Sequence, residues 1–75
     1  MHGASMMDKA SASKFKANVL SAMRELASAL HNAERASSKD EAVLIKKHIG
    51  HIIAELHDLL RETAYKHHPE LNDLS

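Results

Sequence analysis

The sequence predicts an all-α fold, in which two antiparallel helices form a hairpin and two such hairpins pair into a four-helix bundle. Apolar residues recur every three or four positions in two stripes, Ala12–Ala33 and Ala42–Leu59, which is the spacing of one helix face. A break at Ser37-Ser38 separates the stripes, which are half a turn out of phase. The chain must therefore reverse at this break for the stripes to face each other.

The first helix is expected to span residues 8–36, within a hairpin domain of residues 8–67. Ser5, Ser11 and Ser13 are its candidate N-cap residues, because a serine hydroxyl accepts a hydrogen bond from a free amide of the first turn. Residues 1–7 are interpreted as a disordered N-terminus or a cloning remnant and are left out of the fold.

The second helix is expected to span residues 39–67. Ser38 and Glu41 have the spacing of a capping box, in which the two side chains satisfy two free backbone amides. Pro69 disfavours helical geometry at the residue before it, so the helix should end there. Residues 68–75 are expected to form a frayed tail.

The facing stripes also predict the core of the hairpin. Antiparallel pairing sets alanines of the first helix opposite isoleucines of the second, so that small side chains meet large ones in successive layers. The predicted core residues are Phe15, Val19, Leu26, Ile45, Ile49, Ile52, Leu56 and Leu59.

Each stripe is wider than the seam of a two-helix pair, and this width predicts association. An outer apolar row is expected beside the seam, formed by Met23, Leu30, Ile53 and Leu60. A lone hairpin would leave this row in water, whereas burying one such side chain stabilises by roughly 1.5–3 kcal/mol. The expected partner is a second copy of the chain or a larger protein.

In general plan, residues 12–66 resemble the small helical hairpins that pair into four-helix bundles, a group that includes the plasmid-encoded repressor of primer. The resemblance is architectural and implies a paired hairpin. It rests on no shared motif, so no functional residues are carried over from that group.

A polar line on the second helix raises an alternative function. His48, His51 and Glu55 are spaced three and four residues apart, so their side chains can converge on one ion. Zinc accepts such nitrogen and oxygen ligands, and Asp58 or a residue of a second chain would complete the shell. This alternative is a metal- or pH-responsive bundle. The competing interpretation is a solvated polar face, with no cofactor bound.

Composition restricts the class of protein. The chain has 75 residues, no cysteine, and ten basic residues balanced by ten acidic ones, so disulfides and thiolate metal sites are excluded. The neutral charge argues against a nucleic-acid or membrane-surface partner. The two aromatic residues are too few for a base-stacking platform, and this weakens a third hypothesis, RNA binding through Lys9, Lys14 and Lys16.

No apolar run reaches the roughly 20 residues that a bilayer requires, and no secretory signal is visible. We therefore expect a soluble cytoplasmic protein. No nucleophile with a base, phosphate-binding loop or paired carboxylates is discernible, so no enzyme is expected. The function predicted from sequence is that of a small non-catalytic interaction or regulatory protein, acting as a homodimer or docked on a partner.

Overall fold

The computed structural model of the chain describes residues 7–72, and these contain no strand. Four elements follow in order, α1 (Lys9–Ala36), α2 (Lys39–Glu62), the single turn α3 (Ala64–His67) and a 3-10 turn (Pro69–Leu71). The all-α prediction with two long helices is confirmed. Of the segment interpreted as a disordered terminus or cloning remnant, all but Met7 lies outside the described residues, as do the last three residues of the expected tail.

Helix α1 begins with an aspartate cap. Asp8 has extended backbone geometry, and its carboxylate accepts a hydrogen bond of 2.7 Å from the Ser11 amide. Ser11 and Ser13 lie inside the helix, so neither is the N-cap residue, and Ser5 lies outside the described residues. An acidic cap also suits the positive end of the helix dipole.

The chain reverses at Ser37-Ser38, where both residues are extended. The Ser38 hydroxyl accepts a hydrogen bond of 3.2 Å from the Glu41 amide, which starts α2. Because the connection is short, α2 returns along α1, and the two helices pack against each other. The His68 ring then meets the Met7 carbonyl oxygen at 2.9 Å, although these residues are far apart in sequence.

The second helix was expected to run unbroken to residue 67, and it does not. The backbone at Thr63 leaves helical geometry, with φ −121° and ψ −89°. The Thr63 hydroxyl donates a 2.6 Å hydrogen bond to the Leu59 carbonyl oxygen, and its amide donates to the Leu60 carbonyl oxygen. A threonine that bonds back to the preceding turn competes with the regular helix ladder, and α3 then continues against α1.

The expected frayed tail is also wrong for residues 68–72. Pro69 occupies the first position of the 3-10 turn, where its fixed φ is suited to the geometry. Leu71 is half-buried and packs against the core. The segment 64–72, called the C-terminal strap below, is therefore part of the packed fold.

The core lies along the seam between the helices and beneath the strap. Leu60 is the one large side chain among the described residues that is fully buried. The buried residues are Ala12, Val19, Met23, Ile49, Leu60 and Ala64. The half-buried residues among those predicted as core or outer row are Phe15, Leu26, Leu30, Ile45, Ile53 and Leu56.

The two edges of the apolar stripe are exchanged relative to expectation. Met23 and Leu60, expected in the exposed outer row, are 8% and 1% exposed. Ile52 and Leu59, expected in the core, are 44% and 39% exposed. The seam is rotated toward Met23 and Leu60, since the strap packs against the cluster that contains them. The uncovered apolar edge is consequently the opposite one.

Candidate functional site

The strap covers one of the two broad sides of the hairpin. On α1, the Lys16 ammonium donates to the Leu71 carbonyl oxygen and lies 5.7 Å from the centre of the Tyr65 ring. Leu20, one turn further along α1, is half-buried and packs against the core cluster that contains Met23 and Leu60. On the α2 side, Tyr65 lines a shallow pocket with His57. This side of the hairpin is called the covered side.

The strap is also held at the open end of the hairpin. Nε2 of His68 lies 2.9 Å from the Met7 carbonyl oxygen, so this ring nitrogen carries the donated proton. The Lys9 ammonium lies 3.5 Å from the Glu70 carboxylate. Two of the three lysines near the start of α1, Lys9 and Lys16, therefore contact the strap.

Two carboxyl groups at this end have shifted acidity. The Ser11 amide donates a hydrogen bond to the Asp8 carboxylate, and this bond holds the pKa of that carboxyl below its ordinary value. The backbone amide of Glu70 lowers the pKa of its own carboxyl, and Lys9 adds to the effect. Both groups are exposed, so solvent screens these interactions.

Acid should loosen the strap and the start of α1. Because each folded pKa lies below its unfolded value, the stabilisation is present above the unfolded pKa of about 4 and is lost as pH falls through the folded pKa. Thermal melts should therefore show a falling Tm below about pH 4. Asp8→Asn keeps an N-cap that cannot titrate, and with Glu70→Gln it should flatten this fall. If the double variant keeps the full acid dependence, other groups cause it.

The side opposite the strap carries exposed apolar residues and is called the open face. Leu59 follows His57 by two residues, so it points about 160° away from the covered side. Ile52 and Leu44, which are 44% and 54% exposed, lie on the same half of α2 as Leu59. On α1, the exposed Ala22 follows Leu20 by two residues and likewise points away from the strap. The open face comprises Ala22, Ala29, Leu44, Ile52 and Leu59.

The α1 and α2 parts of this face lie on one side of the hairpin. Two antiparallel helices are related by an approximate two-fold axis normal to their common plane. Rotation about this axis exchanges the helices, but residues on one side of the plane remain on that side. Ala22 precedes the buried Met23, just as Leu59 precedes the buried Leu60. Equal offsets from the seam therefore place both residues on the same side.

The open face combines small and large side chains along its length. Its α1 half contributes alanine methyl groups one heptad apart, at Ala22 and Ala29, and its α2 half contributes branched side chains. A surface of this kind has a groove beside a ridge. It can receive an apolar helix pair, and it supplies a ridge of its own.

Two of the predicted zinc ligands, His48 and Glu55, lie within the open face, because on α2 they fall between its apolar residues. The third, His51, lies at the outer edge of this face. Nε2 of His51 is 3.7 Å from a Glu55 carboxylate oxygen, and both side chains are exposed. His48 is exposed one turn earlier on α2. Among residues 7–72 no three histidine, cysteine or acidic side chains converge as a metal site.

Asp58, the expected fourth ligand, forms an ion pair with Arg61. The two residues are three positions apart on one helix, so the spacing itself contained the signal.

Leu44 is the large side chain of the open face that the apolar stripes do not predict. It lies outside the three-four stripe and therefore did not count as core or interface. Val43 is also exposed, at 62%, but it lies half a turn from Ile52 and faces away from the open face. Within the described part of the chain, no helix is long and apolar enough to cross a bilayer.

Compared with protein-family models, with curated proteins and with solved structures, the chain gives no match.

Proposed function

We propose that this chain is a small non-catalytic interaction protein with a regulatory role, and that it acts as a homodimeric four-helix bundle formed through the open face. The observation that carries the proposal is the exposure of Leu44, Ile52 and Leu59 on one side, while the strap covers the other. Large side chains grouped on one face of a small hairpin mark an association surface.

The thin core favours association. One large side chain among residues 7–72 is fully buried, and a hairpin of this size lies near the limit at which a single core folds alone. Burying the open face would add apolar area where the hairpin has least. The gain for each large side chain is roughly 1.5–3 kcal/mol, reduced here because these residues are already part-buried.

The dimensions of the hairpin suit a stable dimer. The hairpin is 50 Å long and 21 Å wide, so one broad side offers on the order of 1,000 Å², and a standard interface takes about 800 Å² from each partner. A second copy also fits the shape, because a face with both a ridge and a groove is complementary to itself across a two-fold axis. The balanced charge of the chain adds no net repulsion between copies.

Ile52→Lys with Leu59→Lys should convert the dimer into a monomer. Each copy would present two ammonium groups to an apolar interface, so we expect the dissociation constant to rise at least about 1,000-fold. Sedimentation equilibrium at two chain concentrations measures this change. Circular dichroism of the same samples shows how much helix survives without the partner.

Val43→Lys is the control, because it adds one ammonium group at a more exposed position that faces away from the open face. It should leave the dimer mass unchanged. A wild-type chain that is folded and monomeric at micromolar concentration would contradict the homodimer and leave a larger protein as the partner. Equal loss of dimer in the control and the double variant would also contradict it.

The alternative function, a metal- or pH-responsive bundle, has less support. His51 and Glu55 are the one pair of the predicted ligands with a contact in the described chain, and Asp58 is held by Arg61.

A further inference from the structure

We infer that in the dimer each α2 lies over the partner's α1, related by a two-fold axis parallel to the helices. This inference rests on the proposed function and specifies how the second copy sits on the open face. It is carried by the unequal side-chain sizes on the two halves of that face and by the charges along its edges.

Two symmetric arrangements bring the open faces of two hairpins together. With the axis parallel to the helices, α1 of one copy covers α2 of the other, and all four pairs of neighbouring helices in the bundle are antiparallel. With the axis across the helices, α1 covers α1 and α2 covers α2, and neighbours are again antiparallel. Helix dipoles therefore favour neither arrangement, and the two differ instead in how large and small side chains meet.

Height along the hairpin decides which residues meet. The Ser37-Ser38 connection places Ala36 and Lys39 at one end, so residues equally far from these positions lie at the same level. Ala22 and Ile52 are within one residue of the same level. An axis parallel to the helices preserves these levels in the second copy.

This arrangement places large residues over small ones. Ile52 meets Ala22 of the partner copy, and Leu44 meets its Ala29, each within two residues of one level. Leu59 meets the half-buried Phe15 of the other copy, which fills the layer nearest the open end. The arrangement with the axis across the helices, called the crossed arrangement, sets alanine against alanine and branched side chains against each other. It would leave gaps where α1 meets α1 and crowding where α2 meets α2.

The charges at the edges favour the same arrangement. On α1, the outer edge of the open face carries Lys14 and Glu25, and on α2 it carries His51 and Glu62. All four are exposed. With the parallel axis, Lys14 of one copy lies at the level of Glu62 of the other, and Glu25 lies at the level of His51. Each edge thus pairs the Lys14 ammonium of one copy with the Glu62 carboxylate of the other, which helps to set register.

Disulfide trapping tests the arrangement directly, because the natural chain contains no cysteine. Ala22→Cys and Ile52→Cys are prepared as two separate variants, unfolded together, refolded as a mixture and mildly oxidised. A disulfide needs Cα atoms within roughly 7 Å. We expect the mixture to give a covalent dimer containing one chain of each variant, at least tenfold in excess of the covalent dimer from either variant alone.

Ala29→Cys mixed with Leu44→Cys provides a second, independent pair, and Ala22→Cys mixed with Val43→Cys is the negative control. Covalent dimers that form within each single variant, in excess of the mixed product, would overturn the inference in favour of the crossed axis. Trapping in the Val43→Cys control as strong as in the test pair would overturn it too.

The mass of each reduced variant is measured before oxidation, and this distinguishes a failure to dimerise from a wrong two-fold axis. If the wild-type chain and the reduced variants are monomeric, the proposed function fails. If they are dimeric but the predicted pairs do not form in the mixture, the open face is an interface and the inferred axis alone is wrong.

Discussion

Leu60→Ala should lower the free energy of unfolding by roughly 2–5 kcal/mol, the range for buried leucines replaced by alanine. Leu60 is 1% exposed and lies in one cluster with Ala12, Val19, Met23 and Ala64. A loss of that size takes most of the stability available to a small domain, so a large fraction of the chain should be unfolded near room temperature.

Urea unfolding followed by circular dichroism measures the change, at one fixed chain concentration because dimerisation would make stability depend on concentration. Val43→Ala is the control, since Val43 is 62% exposed and faces away from the proposed interface. It should change stability by no more than about 0.5 kcal/mol. If Leu60→Ala and Val43→Ala cost the same, the core has been placed wrongly.

The long helices were predictable because their signals are local. The three-four spacing of apolar residues acts within a single helix, and the Ser38 cap acts over three residues. The reversal at Ser37-Ser38 followed from the phase of the stripes alone. The N-cap of α1 was predicted to be a serine, but it is Asp8. Aspartate and serine are both good N-cap residues, so residue type alone did not distinguish between them.

Local sequence patterns did not predict which edge of the apolar stripe is covered in the folded hairpin. Met23 and Ile52 both belong to apolar rows that flank the seam, and a rotation of the helices by a few tens of degrees exchanges them. The strap settles the choice, through contacts such as Lys16 with Leu71 that join distant parts of the sequence. The break at Thr63, which redirects the chain into the strap, has no strong sequence signal.

The candidate site was predictable in kind and less so in detail. An uncovered apolar row was expected from the stripe width, but it was assigned to the edge that the strap covers. Ile52 and Leu59 were recognised as apolar stripe residues and assigned to the core. Leu44 was missed because it lies outside the apolar stripe of α2. Its place on the open face becomes clear only when α2 is packed against α1.

Ala12→Leu should destabilise the chain by about 1–3 kcal/mol, the usual cost of forcing a larger side chain into a packed core. Ala12 is 0% exposed, in the cluster that also contains Ala64 of α3. The added methyl groups have no space there, so α3 should be displaced from α1 and the strap released. Amide hydrogen exchange should then be faster at residues of α3 and the 3-10 turn than in α2.

Ala17→Leu makes the same change at an exposed position of α1 away from the open face, and alanine and leucine have similar helix propensities. Its stability and strap protection should match those of the wild type. A faster strap exchange in Ala12→Leu alone would show that small side chains at the contact between α1 and α3 keep the covered side closed. Unchanged exchange in Ala12→Leu would mean that the strap is held by its polar contacts, and that the apolar seam ends before α3.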